Sequence, residues 1–372
     1  MIIFGNRAHY SAIGGVENSI RSMLRIASEQ KQRAIVVCRE PLISESLGSE
    51  SLVLPSGIKL ATYIDEYNQN LLRRLFFLLH GGQALSETYH NLYAKHPNAT
   101  VIVRHHMHVL AAKRAGFRDI RYLVPSLTIN QLSENLSGTT VFEKVNTMIH
   151  IFVDGWLQSR ALAMAKLFVF SVCMQDQVRQ RLAYNAKQNS IKLVKPGIDS
   201  SRFKPADATE QLQLRKLLSL PTHQKLFLFV GRFVQAKGLT YLLDALATLP
   251  QDYSAVLVGE GEYESSIRDR ICSLGIENRV RLVGKSPEVE KFYRACDVFV
   301  MSSTYEPFGQ TILEAAACGM RIAAFGPEAG VVTATHELGL DGVINYANKL
   351  DIETLGKSMY QAMELAVIKD SG

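Results

Sequence analysis

The 372-residue chain has only five cysteines (Cys38, Cys173, Cys272, Cys296 and Cys318), scattered, odd in number and without metal-ligand spacing. The pattern does not read as a disulfide framework and fits buried thiols in a reducing cytoplasm. No run of about 18 uncharged apolar residues occurs, so no membrane-spanning helix is expected. The opening M-I-I-F-G-N-R has no charged region followed by a long apolar stretch, and so does not read as a secretory signal. Short-period repeats and low-complexity stretches are lacking too. What remains is an ordinary globular composition, 47% hydrophobic and 20% charged. The length suggests two domains.

Charge is unevenly spread. Residues 1–200 hold 23 lysines and arginines against 14 acidic residues, while the remainder holds 18 against 21. A basic first half suits an anionic membrane surface or an acidic acceptor. Nucleic acid is not expected, because no basic motif interleaved with aromatics is present. The segment Tyr67 to Leu85 pairs Arg73-Arg74 with a dense Leu/Phe cluster. It is too short to span a bilayer, and reads either as a core helix or as a surface for an interface or lipid tail.

The second half alternates short apolar runs with helical spacing. Strands are predicted at Lys225–Val230, Ser254–Val258, Val280–Val283, Asp297–Met301 and Arg321–Phe325. Helices are predicted at Leu239–Leu249, Tyr263–Leu274, Val289–Cys296 and Thr311–Cys318. Buried strands separated by helices imply a parallel sheet covered on both faces, the doubly wound arrangement. The first half is similar but less regular. Strands are predicted at Ala34–Cys38, Thr100–Arg104 and Lys166–Val172, with helices at Val16–Ser28 and Val109–Ala115. Residues 192–205 carry two prolines and a glycine. They read as the connection, dividing the chain into domains 1–195 and 196–372.

The most informative stretch is E-P-F-G-Q-T-I-L-E, with Glu306 and Glu314 separated by seven residues and Gly309 between them. It follows a strand and opens a helix. A strand, a glycine turn and a helix start can hold phosphate on free backbone N–H groups. Glu314 is placed about two turns into the helix, and Glu306 in the loop before it. Carboxylates on either side of a phosphate suit the hydroxyls of a nucleotide sugar. V-G-R-F-V-Q-A-K-G adds Arg232 and Lys237 beyond another strand, where a doubly wound fold binds ligands and where cations neutralise a diphosphate. Ser11 to Glu17 places Gly14 and Gly15 before a helix, allowing close approach of backbone to ligand. Arg104-His105-His106-Met107-His108 follows a strand. Read as extended chain, His106 and His108 share a face and His105 points away. A metal site is the rival reading there, but no nearby Cys, Asp or Glu completes a ligand set.

These features resemble the family 4 glycosyltransferases, also called glycosyl transferases group 1. The matching pieces are G-G-V-E at 14–17, the histidines at 105–108, F-V-F-S-V at 168–172 and P-G-I-D-S-S-R-F-K-P at 196–205. V-G-R-F-V-Q-A-K-G, L-V-G-E-G, V-R-L-V-G and E-P-F-G-Q-T-I-L-E-A-A-A-C-G continue the run. The resemblance implies an α/β GT-B fold: two facing Rossmann-like domains with parallel sheets and an interdomain cleft. The first domain would bind an acceptor and the second the donor. It implies a retaining, metal-independent transferase that moves a sugar from a nucleotide-diphosphate sugar, a UDP- or GDP-sugar, to a saccharide or lipid-linked saccharide. No cofactor is implied.

By position, Arg232 and Lys237 would contact the diphosphate, Glu314 the ribose and Glu306 the transferred sugar. Backbone at Phe308, Gly309, Gln310, Thr311 and Gly15 would hold phosphate and sugar oxygens, and Lys285 would border the base. His106 would stand near the reacting carbon, with His105 second to it. Gly14, His105 and His108 are the acceptor-side candidates. Departures include Gln310 for an apolar residue, Gly319-Met320-Arg321 for Gly-x-Pro, Pro196-Gly197 for Asn-Gly, and a final crossover helix that looks short or missing after Lys369. The implied setting is cytoplasmic, at the inner face of a membrane, in bacterial surface polysaccharide or lipopolysaccharide synthesis.

Other readings are open at this point. Two glutamates alone suggest a glycosidase pair, but a nucleoside diphosphate leaves without a strong protein acid. Gly259-Glu260-Gly261 mimics a dinucleotide fingerprint, but Glu264 stands where its third glycine belongs. A GT-B sugar-nucleotide epimerase and a non-catalytic nucleotide-sugar-binding partner subunit remain as alternatives.

Overall fold

A computed structural model describes residues 1–8, 15–40, 54–64, 83–127, 141–182, 190–195 and 197–370. The chain divides into two compact units, Met1–Gly197 and Ile198–Gly372.

The first unit runs β1 (Ile2–Gly5), α1 (Gly15–Glu29), β2 (Ala34–Arg39), β3 (Ile58–Tyr63), α2 (Gln83–Lys95) and β4 (Thr100–Val103). It continues with α3 (His106–Ala115), β5 (Ile120–Leu123), α4 (Val141–Met164), β6 (Lys166–Val169), α5 (Val172–Leu182) and β7 (Ile191–Leu193). Its strands form one seven-stranded sheet in the order β3-β2-β1-β4-β5-β6-β7, every pairing parallel. Ile3, Val37, Val101, Val103 and Leu167 fill one face, and Phe4, Leu24 and Val36 pack on the other.

The second unit runs α6 (Ala208–Leu217), β8 (Lys225–Val230), α7 (Leu239–Thr248), β9 (Tyr253–Val258), α8 (Glu264–Leu274), β10 (Val280–Gly284) and α9 (Val289–Ala295). It ends with β11 (Val298–Met301), β12 (Tyr305–Glu306), α10 (Gln310–Ala317), β13 (Arg321–Phe325), β14 (Val332–Thr333), β15 (Ile344–Ala347) and α11 (Ile352–Asp370). The main sheet has the order β10-β9-β8-β11-β13-β15 and is parallel throughout. Alternate residues of β8 serve opposite cores. Phe227 and Phe229 join Leu242, Leu246 and Ile267 on one face, while Leu226 and Leu228 join Phe292, Phe299 and Ile312 on the other. This is why the strands read as continuous apolar runs and not as alternation.

In both sheets the strand order reverses at one place, beside β1 and β4 in the first unit and beside β8 and β11 in the second. The helices on either side of such a switch point diverge to opposite faces, leaving the carboxyl ends of the two strands open to a ligand. The segments that follow β8 and β11 carry Arg232, Lys237 and Glu306; His105 follows β4 and leads into α3, which carries His106 and His108. The strands β12 and β14, two residues each and without a sequence expectation, pair in parallel as a separate sheet.

Buried charges tie helices to this frame. Asp297 accepts from Arg215 at 2.6 Å, from Gln211 at 2.9 Å and from the Leu226 amide at 2.7 Å, locking α6 to the starts of β8 and β11. Arg279 donates to the carbonyls of Leu246, Leu249 and Pro250, a cation placed on the negative end of α7.

Candidate active site

Three strands of the second unit lead through valine to a glycine, with Gly231 and Gly259 just after β8 and β9 and Gly284 closing β10. A Cβ on Gly259, whose φ is +147°, would lie 1.8 Å from the carbonyl oxygen of Gly231. The Gly259 amide donates to the Gly284 carbonyl at 2.8 Å. The glycines therefore let neighbouring strand ends approach closely, which accounts for the G-E-G mimic without a dinucleotide. Arg232 follows Gly231, exposed, with no acidic partner among the described residues. Lys285 follows Gly284 and forms an exposed ion pair with Glu260.

Lys237 closes a short 3-10 turn, Gln235–Lys237. The turn is pinned to the segment after β11: Ser302 Oγ donates to the Lys237 carbonyl at 2.9 Å, and the Thr304 amide to the Ala236 carbonyl at 2.9 Å. Gly238 then adopts φ +59°, and a Cβ there would sit 2.0 Å from the Ser302 carbonyl oxygen. A backbone atom cannot move aside as a side chain can. Gly238→Ala is expected to destabilise the unit by at least about 2 kcal/mol through clash and left-handed strain. A thermal melt that matches wild type would refute this placement.

The small sheet fixes the backbone of Glu306. Tyr305 and Glu306 pair with Val332 and Thr333, and the Ala334 amide donates to the Glu306 carbonyl at 2.9 Å. Its carboxylate forms an ion pair with Lys237, both side chains being largely buried. It also accepts from the Gly309 amide at 3.0 Å and from that of Phe308. Burial raises its pKa, but Lys237 and the two amides outweigh burial and hold Glu306 below its ordinary value. Of the backbone donors expected to face phosphate, Phe308 and Gly309 are thus turned onto Glu306. The amides of Gln310 and Thr311, at the start of α10, keep no acceptor among the described residues. Gly309, at φ +81°, makes the turn into that helix.

Glu314 is the fifth residue of α10, a little over one turn from its start, because the helix begins at Gln310 and ends at Ala317. Its carboxyl is buried and accepts from the Tyr293 hydroxyl at 2.9 Å. Burial pushes its pKa up to about 7, against the pull of Tyr293, Gln310 and Arg202. Gln310 reaches the Glu314 carboxyl with one end of its amide and leaves Oε1 buried without a partner. Tyr293 was not legible as a site residue, since an aromatic on an amphipathic helix reads as core. A groove of about 760 Å³ lined by Pro221, Ser254, Ile271 and Arg281 opens at the amino-terminal ends of β8 to β10, away from these groups.

In the first unit only His105 keeps an extended backbone, while His106 and His108 lie in a helix. His105 caps α3, its Nδ1 accepting from the Met107 amide at 3.3 Å, and His106 is the first helical residue. The helical turn sends the rings to different surroundings, so His106 and His108 share no face. His106 Nε2 lies 2.9 Å from Asp154 Oδ1 of α4. His108 is fully buried, with Tyr89 on Nδ1 at 3.0 Å and Tyr63 on Nε2 at 3.3 Å. Burial lowers its pKa to about 3. Gly5 makes room for this contact, since a Cβ there would lie 2.4 Å from the Tyr89 hydroxyl. His108, expected on the acceptor side, is therefore a neutral core residue with both ring nitrogens engaged. His105 is also held well below its ordinary pKa, first by burial and then by His106, Arg7 and His108. Gly15 is the first residue of α1. Gly14 and residues 67–82 lie outside the described residues. Among those described, no cluster of three or more His, Cys, Asp or Glu is arranged to hold a metal ion.

Residues 210–365 match the family model for glycosyl transferases group 1. The chain is 30% identical over 168 residues to an uncharacterized glycosyltransferase of Methanocaldococcus jannaschii, covering 42% of this chain and 43% of the relative. It is 32% identical over 148 residues to the lipopolysaccharide core biosynthesis glycosyltransferase LpsE of Rhizobium meliloti, covering 40% and 41%. The chain thus spans about two fifths of the length of the curated relatives it matches. Anabaena HepE, solved in complex with UDP and glucose, superposes with a TM-score of 0.70 at 20% identity, covering 99% of this chain and 92% of that one. The match to the glycosyl transferases group 1 model thus lies on residues 210–365, within a chain of the GT-B fold class.

Proposed function

We propose that the protein is a retaining glycosyltransferase that moves a sugar from a nucleotide-diphosphate sugar to a hydroxyl of a saccharide or glycolipid. The observation that carries this is the convergence of Arg232, the Lys237–Glu306 pair and the start of α10 at the switch point of the second sheet. On this reading Arg232, Lys237 and the amides of Gln310 and Thr311 meet the diphosphate, where charge builds as it leaves. Glu306, held ionised by its partners, accepts from hydroxyls of the transferred sugar and supplies no proton. Glu314 accepts from the ribose, and a ribose hydroxyl satisfies Gln310 Oε1. The bond from the anomeric carbon to the diphosphate oxygen breaks. The acceptor oxygen attacks the same face, and its proton goes to the departing phosphate.

The first unit binds the acceptor. The R. meliloti relative acts in lipopolysaccharide core biosynthesis, which supports a surface glycolipid or polysaccharide as product class. Among the described residues no helix is long and apolar enough to cross a membrane. Peripheral contact with an anionic cytoplasmic leaflet is supported by the basic first half and by exposed Phe152 and Trp156, the latter under the Arg160 guanidinium.

Thermal-shift titration with UDP-, GDP- and ADP-sugars tests the reading. One of them at about 100 times its Kd should contribute roughly 3 kcal/mol of stabilisation. If none of them raises the melting temperature, the donor assignment falls. Nuclear magnetic resonance of the product anomer decides retention.

A further inference from the structure

His106 and Asp154 are 48 residues apart in sequence, and the fold buries both, at 3% and 7% exposure. The bond between them runs from His106 Nε2 to Asp154 Oδ1 at 2.9 Å. An ionised carboxylate only accepts hydrogen bonds, and imidazole is the more basic of the two groups, so the proton of this contact sits on Nε2. A neutral ring has one N–H, which leaves Nδ1 with a lone pair. His105, stacked on His106 with ring centroids 4.3 Å apart, has the opposite arrangement. Its Nδ1 accepts from the Met107 amide, so its N–H is at Nε2. The stacked rings therefore carry one acceptor, Nδ1 of His106, and one donor, Nε2 of His105, and a hydroxyl can meet either. Asp154 and Arg104 both act on Tyr122 of β5, and Arg7 and His108 act on His105.

We propose that Asp154 is a positioning residue that fixes His106 as the Nε2–H tautomer, so that His106 meets a sugar hydroxyl through the lone pair of Nδ1. The geometry of the dyad stands by itself; its use on a sugar rests on the transferase reading above.

Long-range ¹H–¹⁵N correlation on the full chain reads the tautomer directly, with no ligand. His106 should show its proton on Nε2 in wild type and lose that preference in Asp154→Asn, a near-isosteric change. A wild-type signal from Nδ1–H overturns the proposal, even should the variant fail to fold. Turnover gives the second arm, measured as transfer to water of whichever sugar nucleotide stabilises the protein. Asp154→Asn should lower kcat on the order of 10- to 100-fold and leave donor KM within about twofold. In a His106→Ala background the same change should do nothing further. An equal loss in both backgrounds shows that Asp154 acts independently of His106 and sinks the proposal. Absence of donor binding by wild type would instead remove the transferase reading while leaving the tautomer result intact.

Discussion

Lys237→Ala is expected to lower kcat by about 10²- to 10³-fold and to destabilise the second unit by about 3 kcal/mol. The two effects have different origins. The rate falls because a cation aimed at a leaving diphosphate stabilises charge that exists only in the transition state. Stability falls because Glu306 is left buried without its counter-charge: the side chains of Lys237 and Glu306 are only 19% and 12% exposed, and removing one member of such a pair costs more than removing both. The double variant Lys237→Ala/Glu306→Gln should therefore recover most of the stability and none of the activity. Melting temperature and turnover, measured on the same three proteins, separate the roles. Recovery of both together would mean that Lys237 serves only to hold Glu306. Glu306→Gln alone should lower kcat, since it weakens acceptance from the transferred sugar while keeping the side chain's shape.

Glu314→Gln is expected to make the protein more stable above pH 7 and worse at binding donor. Glu314 ionises near pH 7 when folded and near 4.5 when free. Below 4.5 both states hold the proton and burial carries no ionic penalty. Between those values the unfolded chain gives up the proton and the folded chain keeps it, so stability falls as pH rises. Above about 7 both are ionised and the full penalty, about 3 kcal/mol, is present. Wild type should accordingly lose melting temperature from pH 5 to 8 relative to Glu314→Gln. Donor affinity should run the other way. Ribose hydroxyls donate to a carboxylate, so wild-type binding should strengthen through pH 7 and then level off. Glu314→Gln should raise donor KM at pH 8 with little pH dependence. Parallel stability curves for the two proteins would refute the buried-carboxyl account.

The elements were legible wherever local physics governs them. Lys225–Val230 and Arg321–Phe325 are strands with the limits that their apolar runs suggest, because both faces of a parallel strand are covered. The histidines were misread because propensity does not reveal where a helix begins. His105 starts α3 as a cap, and the change from extended to helical rotates each following ring to a new neighbour. Helix α10 likewise starts one residue earlier than its sequence suggested, with Gly309 in the left-handed conformation before it.

By itself the sequence determined which side chains stand at strand ends: Arg232 and Lys237 after one, Glu306 after another, the histidines after a third. Strand, glycine and helix signals are short-range, so they can be read locally. Tertiary structure alone decided their partners. Lys237 and Glu306 are 69 residues apart, His106 and Asp154 are 48 apart, and Tyr293 and Glu314 are 21 apart. Each pair is made by which strands lie adjacent in a parallel sheet and by which helix packs over them. That order depends on burying whole apolar faces, a property of the assembled unit, and no spacing along the chain encodes it.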